Sequence, residues 1–355
     1  MSQTTRRPAF AAGSLILLAT MATGGSALAQ SPDASMGAMT SPQAGLSGSI
    51  TVSGSSTVQP ITTAVQEAFN VASPGVAISV DGPGTGDGFA LFCAGELDIA
   101  NASRAIKPEG EADVCATNGV EYIELKVALD GLSVITSAAD TAIECLTFAD
   151  IYALVGPEST GFANWSDGQA LATELGSTTV LPDAPLTVTG PGEESGTYDF
   201  FVEKVITPIA KERGKPEIMD EAGKASFTRP DYQSSPNDLT IVEGVGGTAD
   251  NVTTLGWVGY AFVEENLDRI KPLAVDGGKG CVDPSYATIS DGTYPISRPL
   301  FIYVNKANAA AKPELAAFVD YYLGEGVIDS VLQTVPYVAL SSEELDAARA
   351  TWAAR

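Results

Sequence analysis

The chain has no histidine in its 355 residues. That absence removes Ser-His-Asp and Cys-His catalysis and every metal site that depends on an imidazole. Positive charge is scarce as well: 19 Lys and Arg stand against 44 Asp and Glu, for a formal net charge of −25. Such a field repels nucleic acid and anionic membrane surfaces. Neither GxxxxGKS/T nor GxGxxG occurs, so a nucleotide phosphate site has no motif support. A GxSxG nucleophile elbow is missing too, and none of the four cysteines stands in CxxC spacing, which argues against redox and zinc roles. No internal repeat of fixed period is present. What is there is an ordinary globular composition, 45% hydrophobic, 18% charged and 7% aromatic, sufficient for a real core.

Residues 1–29 have the three parts of a secretory signal: basic Arg6-Arg7, an apolar run around Leu15-Ile16-Leu17-Leu18, and Ala27-Leu28-Ala29 before Gln30. The run is shorter than the about 20 apolar residues of a membrane span and is interrupted at Gly24 and Gly25. Export is expected, with cleavage after Ala29. Loss of Arg6 and Arg7 leaves seventeen basic against 44 acidic residues, a net charge of −27. Residues 30–47, poor in bulky side chains, read as a flexible tether. The remainder, 48–355, suffices for two domains at about 150 residues each. All four cysteines lie in the exported part, where disulfides persist. Cys93 and Cys115 enclose a short segment, while Cys145 and Cys281 flank the second of the two expected domains; these two bridges are predicted among the three possible pairings.

From Ser49 onward, short β-rich runs alternate with helical stretches: Ile50 to Val52, a helix from Thr57 to Asn70, Val76 to Val80, a helix from Asp87 to Gly95, then Leu97 to Ala100, Tyr122 to Val127 and Leu132 to Thr136. After Cys145 the pattern restarts with a helix over Phe148 to Val155, then Leu186 to Thr189, a helix from Thr197 to Arg213, and Leu255 to Asn266. Ile296 to Val304 is a late strand, followed by helices over Lys312 to Leu323 and Glu325 to Gln333. Alternation of this kind predicts an α/β fold with parallel strands.

Three segments share one design, in which a strand ends in a Gly/Ser/Thr cluster that opens a helix: Gly54-Ser55-Ser56-Thr57, Gly84-Thr85-Gly86-Asp87-Gly88 and Gly192-Glu193-Glu194-Ser195-Gly196-Thr197. Each offers free backbone N–H groups at the positive end of a helix, plus hydroxyl donors. One such cluster is ordinary helix capping. Three at strand carboxyl ends of one α/β chain point to convergence on a single small anion. Arg104, following a predicted strand and Ser103, can add charge-assisted bonds to a tetrahedral oxyanion. Arg229 is a second candidate, set against a loop salt bridge, and Ser234, Ser235 and Asn237 are either further donors or turn residues. An acidic total does not oppose this, because local dipoles act inside the about 8 Å Debye length.

These pieces, in this order, resemble the periplasmic phosphate-binding proteins of phosphate ABC transporters, over Ser49 to Val338. The matching segments are Ile50 to Val58, Gly84-Thr85-Gly86, Asp98-Ile99-Ala100-Asn101-Ala102-Ser103-Arg104, Gly190 to Phe201, Leu255 to Phe262 and Tyr294 to Leu300. The resemblance implies a two-lobed periplasmic-binding-protein (Venus-flytrap) fold with two crossovers between lobes. It implies binding of inorganic phosphate with hinge closure and delivery to a membrane ABC permease, by a monomer that is no enzyme and needs no cofactor or metal. Carried across, Ser56, Thr57, Val58, Thr85, Ser103, Ser195, Gly196 and Thr197 would hold the ligand. Two departures stand out. Ser103-Arg104 replaces the Ser-Asp of well-studied members, whose aspartate accepts the proton of monohydrogen phosphate. Gly190-Pro191-Gly192 replaces an arginine that precedes Ser-Gly-Thr. Arg104 is read as the relocated cation, and Asp87, Glu193 or Glu194 as a possible substitute acceptor that would discriminate phosphate from sulfate.

On this reading lobe one comprises residues 48–129 plus 296–355, and lobe two residues 130–295. Three other readings keep a place. One retains the binding role with sulfate, molybdate or another tetrahedral oxyanion as ligand. Another is a serine hydrolase or phosphatase with Ser195 as nucleophile and a lysine base. The third is a surface-interaction or sensing protein, a role compatible with binding. With a net charge this negative, affinity is expected to come from short-range dipoles and to vary little with salt.

Overall fold

The computed structural model describes residues 45–193, 195–214, 218–219, 225–226, 228–246, 253–335 and 337–355. The expected leader, the tether as far as residue 44, and Glu194 lie outside these residues.

The first strand-helix units form as their patterns dictate. β1 (Gly48–Gly54) pairs in parallel with β2 (Val76–Val80) and with β3 (Ile99–Ala102). Between them run α1 (Gln59–Ala72) and α2 (Thr85–Cys93). α1 begins at Gln59, two residues later than expected, with Pro60 in its first turn, where a missing N–H costs nothing. It buries Ile61, Thr62, Val65 and Phe69, one helical face, and Phe69 meets Phe318 edge-on at 5.4 Å.

β4 (Tyr122–Ser137) is one sixteen-residue strand where the sequence pattern suggests two. The interruption in the pattern, Asp130-Gly131, coincides with a change of partners. Up to Gly131, β4 pairs antiparallel with β9 (Ser297–Asn305). From Leu132 it pairs with β7 (Leu255–Gly259), and from Ile135 with β8 (Ile270–Pro272). β5 (Val188–Pro191) and β6 (Gln233–Ser235) complete the far side, giving the order β2-β1-β3-β9-β4-β7-β5-β6 with β8 on β4. A single nine-stranded sheet thus runs through the molecule, parallel at both outer thirds.

The last part of the chain returns to the first strands. β9 inserts between β3 and β4. Lys312 Nζ reaches both oxygens of buried Asp98 at 2.8 and 2.9 Å, while Asp98 also accepts the Thr51 N–H. Among the described residues four helices follow β9, and two of them, Lys306–Ala311 and Ser342–Ala353, are not among those expected from the sequence. α3 (Phe148–Val155) matches its expected range, and carries a Thr147/Asp150 capping box. The expected helix from Thr197 to Arg213 is instead α4 (Gly196–Phe201), a π segment (Val202–Ile206) and a further helix (Thr207–Glu212), with Pro208 at the junction. α5 (Pro313–Tyr322) covers the first strands, and α6 (Ser342–Ala353) closes the chain, bound to β4 by Lys126 Nζ to Glu344 Oε1 at 2.6 Å.

Both expected disulfides are present, Cys93–Cys115 and Cys145–Cys281. The second ties two edges of a small three-stranded sheet, Cys145–Thr147 and Cys281–Val282, on either side of Ala274–Asp276. Among the described residues no helix is long and apolar enough to cross a membrane.

Candidate functional site

Where β1, β3 and β5 end, their following loops face one another across the middle of the sheet. Gly54 makes the first of these ends possible: its φ is 132°, and a Cβ there would lie 2.2 Å from the Asn101 carbonyl oxygen. The chain then presents Ser55, Ser56 and Thr57. Ser55 Oγ accepts the N–H groups of Thr57 (3.2 Å) and Val58 (3.4 Å), so the capping use of this cluster is real. At the end of β3, Ser103 donates its N–H to Thr85 Oγ1 at 3.1 Å, and the two hydroxyls lie 3.1 Å apart. Thr85 and Ser103 are thereby joined at this strand end.

The second set arrives on α4. Ser195 is its N-cap, accepting the Thr197 N–H at 3.2 Å. Gly196 comes so close that a Cβ would sit 2.9 Å from Thr57 Oγ1 and 3.0 Å from Thr57 Cα. The Thr57 hydroxyl faces the Gly196 carbonyl at 3.5 Å, and Ser56 Oγ donates to Asp199 Oδ2 at 3.2 Å. The loops after β1 and β5 are therefore in direct contact, which only a residue without a side chain at 196 allows.

The cation among these hydroxyls is Arg298, on β9. Its Nη2 donates to Thr57 Oγ1 at 2.9 Å, its Nη1 to Ser103 Oγ at 3.2 Å and its Nε to Asp130 Oδ2 at 3.1 Å. The guanidinium lies over the Phe200 ring, 3.8 Å from its centroid, and Glu203 comes within 3.6 Å of Nη1. Asp130, on β4 directly across from Arg298, is fully buried; burial pushes its carboxyl above the ordinary range and the adjacent guanidinium pulls it back. Pro299 is tolerated in β9 because β3 pairs only with Phe301 to Val304, leaving the other edge of the strand free at 299.

Arg104, expected as the relocated cation, is engaged elsewhere. Its two Nη atoms hold the Glu111 carboxylate at 2.8 and 2.7 Å, and that bidentate pair holds the Glu111 carboxyl below its ordinary range. Arg104 lines the wall of the cleft but is not bonded to the hydroxyl cluster. Arg229 is apart from it altogether: buried, it binds Asp231 at 2.7 and 2.8 Å and donates to the Phe162 carbonyl, a structural role. Asp87 is exposed in the first turn of α2, Glu193 is half-buried beside α4, and Ser235 and Asn237 bond to each other as a turn.

An arginine at the position of Gly190 has no room here. A Cβ on Gly190 would lie 2.5 Å from the Trp257 ring, which stacks on Phe201 at 4.4 Å. With that route closed, β9 supplies the guanidinium from the opposite side. A signal for it was available: Asp130 and Arg298 are lone charges in two otherwise apolar strand patterns, Val127 to Thr136 and Ile296 to Val304, which is how a buried cross-strand pair reads.

The cleft beside this cluster measures about 480 Å³ and is lined by Ser103, Arg104, Phe148, Phe200, Lys204 and Arg298, among others. It lies outside the carboxyl ends of the parallel strands, where open α/β sheets bind ligands.

A domain model of the PBP superfamily matches residues 39–325. Protein SphX of Synechocystis is 36% identical over 298 residues, 83% of this chain and 79% of its own length. The phosphate-binding protein PstS of Staphylococcus haemolyticus is 31% identical over 271 residues, covering 76% and 75% of the two chains. A crystal structure described as a possible phosphate binding protein from Planctomyces limnophilus superposes with a TM-score of 0.73 at 35% identity, covering 87% of this chain and 99% of that one. The two-lobed α/β architecture, the site at the strand ends and these likenesses agree, and the chain belongs to the PBP superfamily, among its PstS-like phosphate-binding proteins.

Proposed function

We propose that this protein binds inorganic phosphate between two lobes and delivers it to a membrane ABC permease. The observation that carries the reading is the Arg298 cluster: one guanidinium, held by Asp130 and Phe200, bonded to hydroxyls from the ends of β1 and β3 and adjacent to the start of α4. Nε is committed to Asp130, while each Nη group keeps a further N–H beyond its bond to a hydroxyl, which suits a tetrahedral oxyanion. Thr57, Thr85, Ser103 and the Ser195-Gly196-Thr197 turn would supply the neutral donors, and the cap bonds of 3.2 to 3.4 Å made by the Thr57, Val58 and Thr197 amides are weak enough to be exchanged for an anion.

The partner change of β4 at Gly131 and Leu132, and the start of β9 at Ser297, support lobes at 48–129 plus 296–355 and at 130–295. Closure about these two connections brings Gly196 onto Thr57, and the closed form would be the state a permease recognises. The family context and the leader pattern support a periplasmic location. A nucleophilic role for Ser195 is less well supported, since its Oγ caps α4 and the sequence has no histidine.

Calorimetric titration of the ligand-stripped mature protein with phosphate, sulfate and molybdate, across about pH 5 to 9, tests the reading. One-site phosphate binding with sulfate silent is the expected result. Binding of sulfate or molybdate with phosphate silent would keep the site and overturn the ligand.

A further inference from the structure

Among the described residues are fifteen Lys and Arg, and eleven of them lie within 4.0 Å of a carboxylate. In a chain with 44 acidic residues such pairing is the default, and the exceptions are Lys107, Lys204, Lys211 and Lys279. Two of these four wall the same cavity. Lys204 and Lys279 line a space of about 230 Å³ together with Phe148, Thr293 and Ser297. Phe148, Lys204 and Ser297 also line the larger cleft that holds Ser103 and Arg298, so the two spaces adjoin.

The lysines are carried on defined supports. Lys204 belongs to the π segment that continues α4, next to Glu203. Lys279 sits in a loop pinned by Asp276, whose Oδ1 accepts the N–H groups of Gly278 (2.7 Å) and Gly280 (2.9 Å). Both glycines have φ near 100°, and Cys281 follows at once, bridged to Cys145.

We propose that Lys204 and Lys279 form an outer cationic vestibule that captures the oxyanion and passes it inward to Arg298. This rests on the phosphate-binding reading and adds to it the step before binding. A protein with a net charge of −27 after loss of the leader repels phosphate at a distance. Within about 8 Å at physiological salt, however, unpaired local charges govern the potential. Paired cations do not help, because their carboxylates cancel them; the two unpaired lysines beside the cleft do. Local fields of this kind raise association rates by about 10- to 1,000-fold in favourable cases. Salt should therefore slow association and leave dissociation nearly unchanged, so that affinity falls with salt by the association factor, in place of the weak salt dependence expected from the net charge alone.

Stopped-flow mixing of inorganic phosphate with the stripped mature protein tests the vestibule. At about 10 mM ionic strength, where the Debye length is about 30 Å, K204Q/K279Q is expected to associate at least about threefold more slowly than wild type, with dissociation unchanged. The difference should vanish at about 1 M inert salt, where the Debye length is about 3 Å. K107Q/K211Q, which removes the same charge from lysines that line neither cavity, should slow association less than K204Q/K279Q does. Equal rates for wild type and K204Q/K279Q, or equal slowing by both double variants, would overturn the vestibule. So would faster dissociation with unchanged association, which would make the lysines bound-state contacts. Failure of the wild type itself to bind phosphate would overturn the underlying reading, and the vestibule with it.

Discussion

Arg298 holds its charge in a nearly dry position, its side chain 11% exposed beside an Asp130 side chain that is 2% exposed. A buried pair of this kind repays its desolvation only with good geometry and satisfied hydrogen bonds. Here Nε bonds the carboxylate while Nη1 and Nη2 face Ser103 and Thr57, so one residue is anchored on one side and presents donors on the other. Lysine at this position would keep the charge beside Asp130 and lose the fork. R298K is expected to weaken phosphate binding by about 10- to 150-fold, the worth of a hydrogen bond to a charged group at about 1.5 to 3 kcal/mol. R104Q, whose parent side chain is occupied by Glu111, should stay within about threefold of wild type. Calorimetry on both variants checks this, and equal losses would restore Arg104 to the ligand set.

At the scale of elements, the two long-range devices are strand β4 and the disulfides. β4 joins the two parts of the sheet as one rod, whose Asp130-Gly131 break in apolar pattern is the point of exchange between β9 and β7. The disulfides close loops of very different length, 22 and 136 residues apart in sequence. On the chain-entropy account, C93S/C115S should cost about 3 kcal/mol and C145S/C281S about 5 kcal/mol, because the longer loop removes more freedom from the unfolded chain. Urea unfolding of both double variants measures the order. A larger loss in C93S/C115S would show that folded-state contacts around α2, and not loop closure, dominate.

For the molecule as a whole, acidity sets the pH response. Burial pushes Asp238 up to about 6, from an ordinary value of 3.8. A raised folded-state value means that ionising this carboxyl opposes folding. The penalty is absent below about pH 4, grows through the window from 4 to 6, and is fully present above it, at most about 3 kcal/mol. D238N should therefore raise the thermal midpoint at pH 7.5 and leave it nearly unchanged at pH 4, as followed by differential scanning calorimetry. Asp231 acts in the opposite sense: the Arg229 guanidinium holds it down at about 2, so its contribution is present above about pH 4 and is lost as pH falls towards 2. The mixed result is a protein whose stability is not simply improved by neutralising its acidic excess.

Local chemistry was legible in the chain itself. Strand-helix alternation and the glycine-serine-threonine ends of strands, on which Thr57, Thr85, Ser103 and Ser195 stand, follow from short-range preferences that neighbours in sequence decide. The two disulfide pairings were legible as well, from the organisation of the chain. The identity of the central cation was not, because Arg298 meets Ser103 and Thr57 across 195 and 241 positions of sequence, and the meeting depends on β9 threading between β3 and β4. Nor could sequence reveal that Glu111 claims Arg104, or that Trp257 fills the space beyond Gly190. Those outcomes are settled by which buried charges find partners and which volumes are already full, and both are properties of the packed sheet.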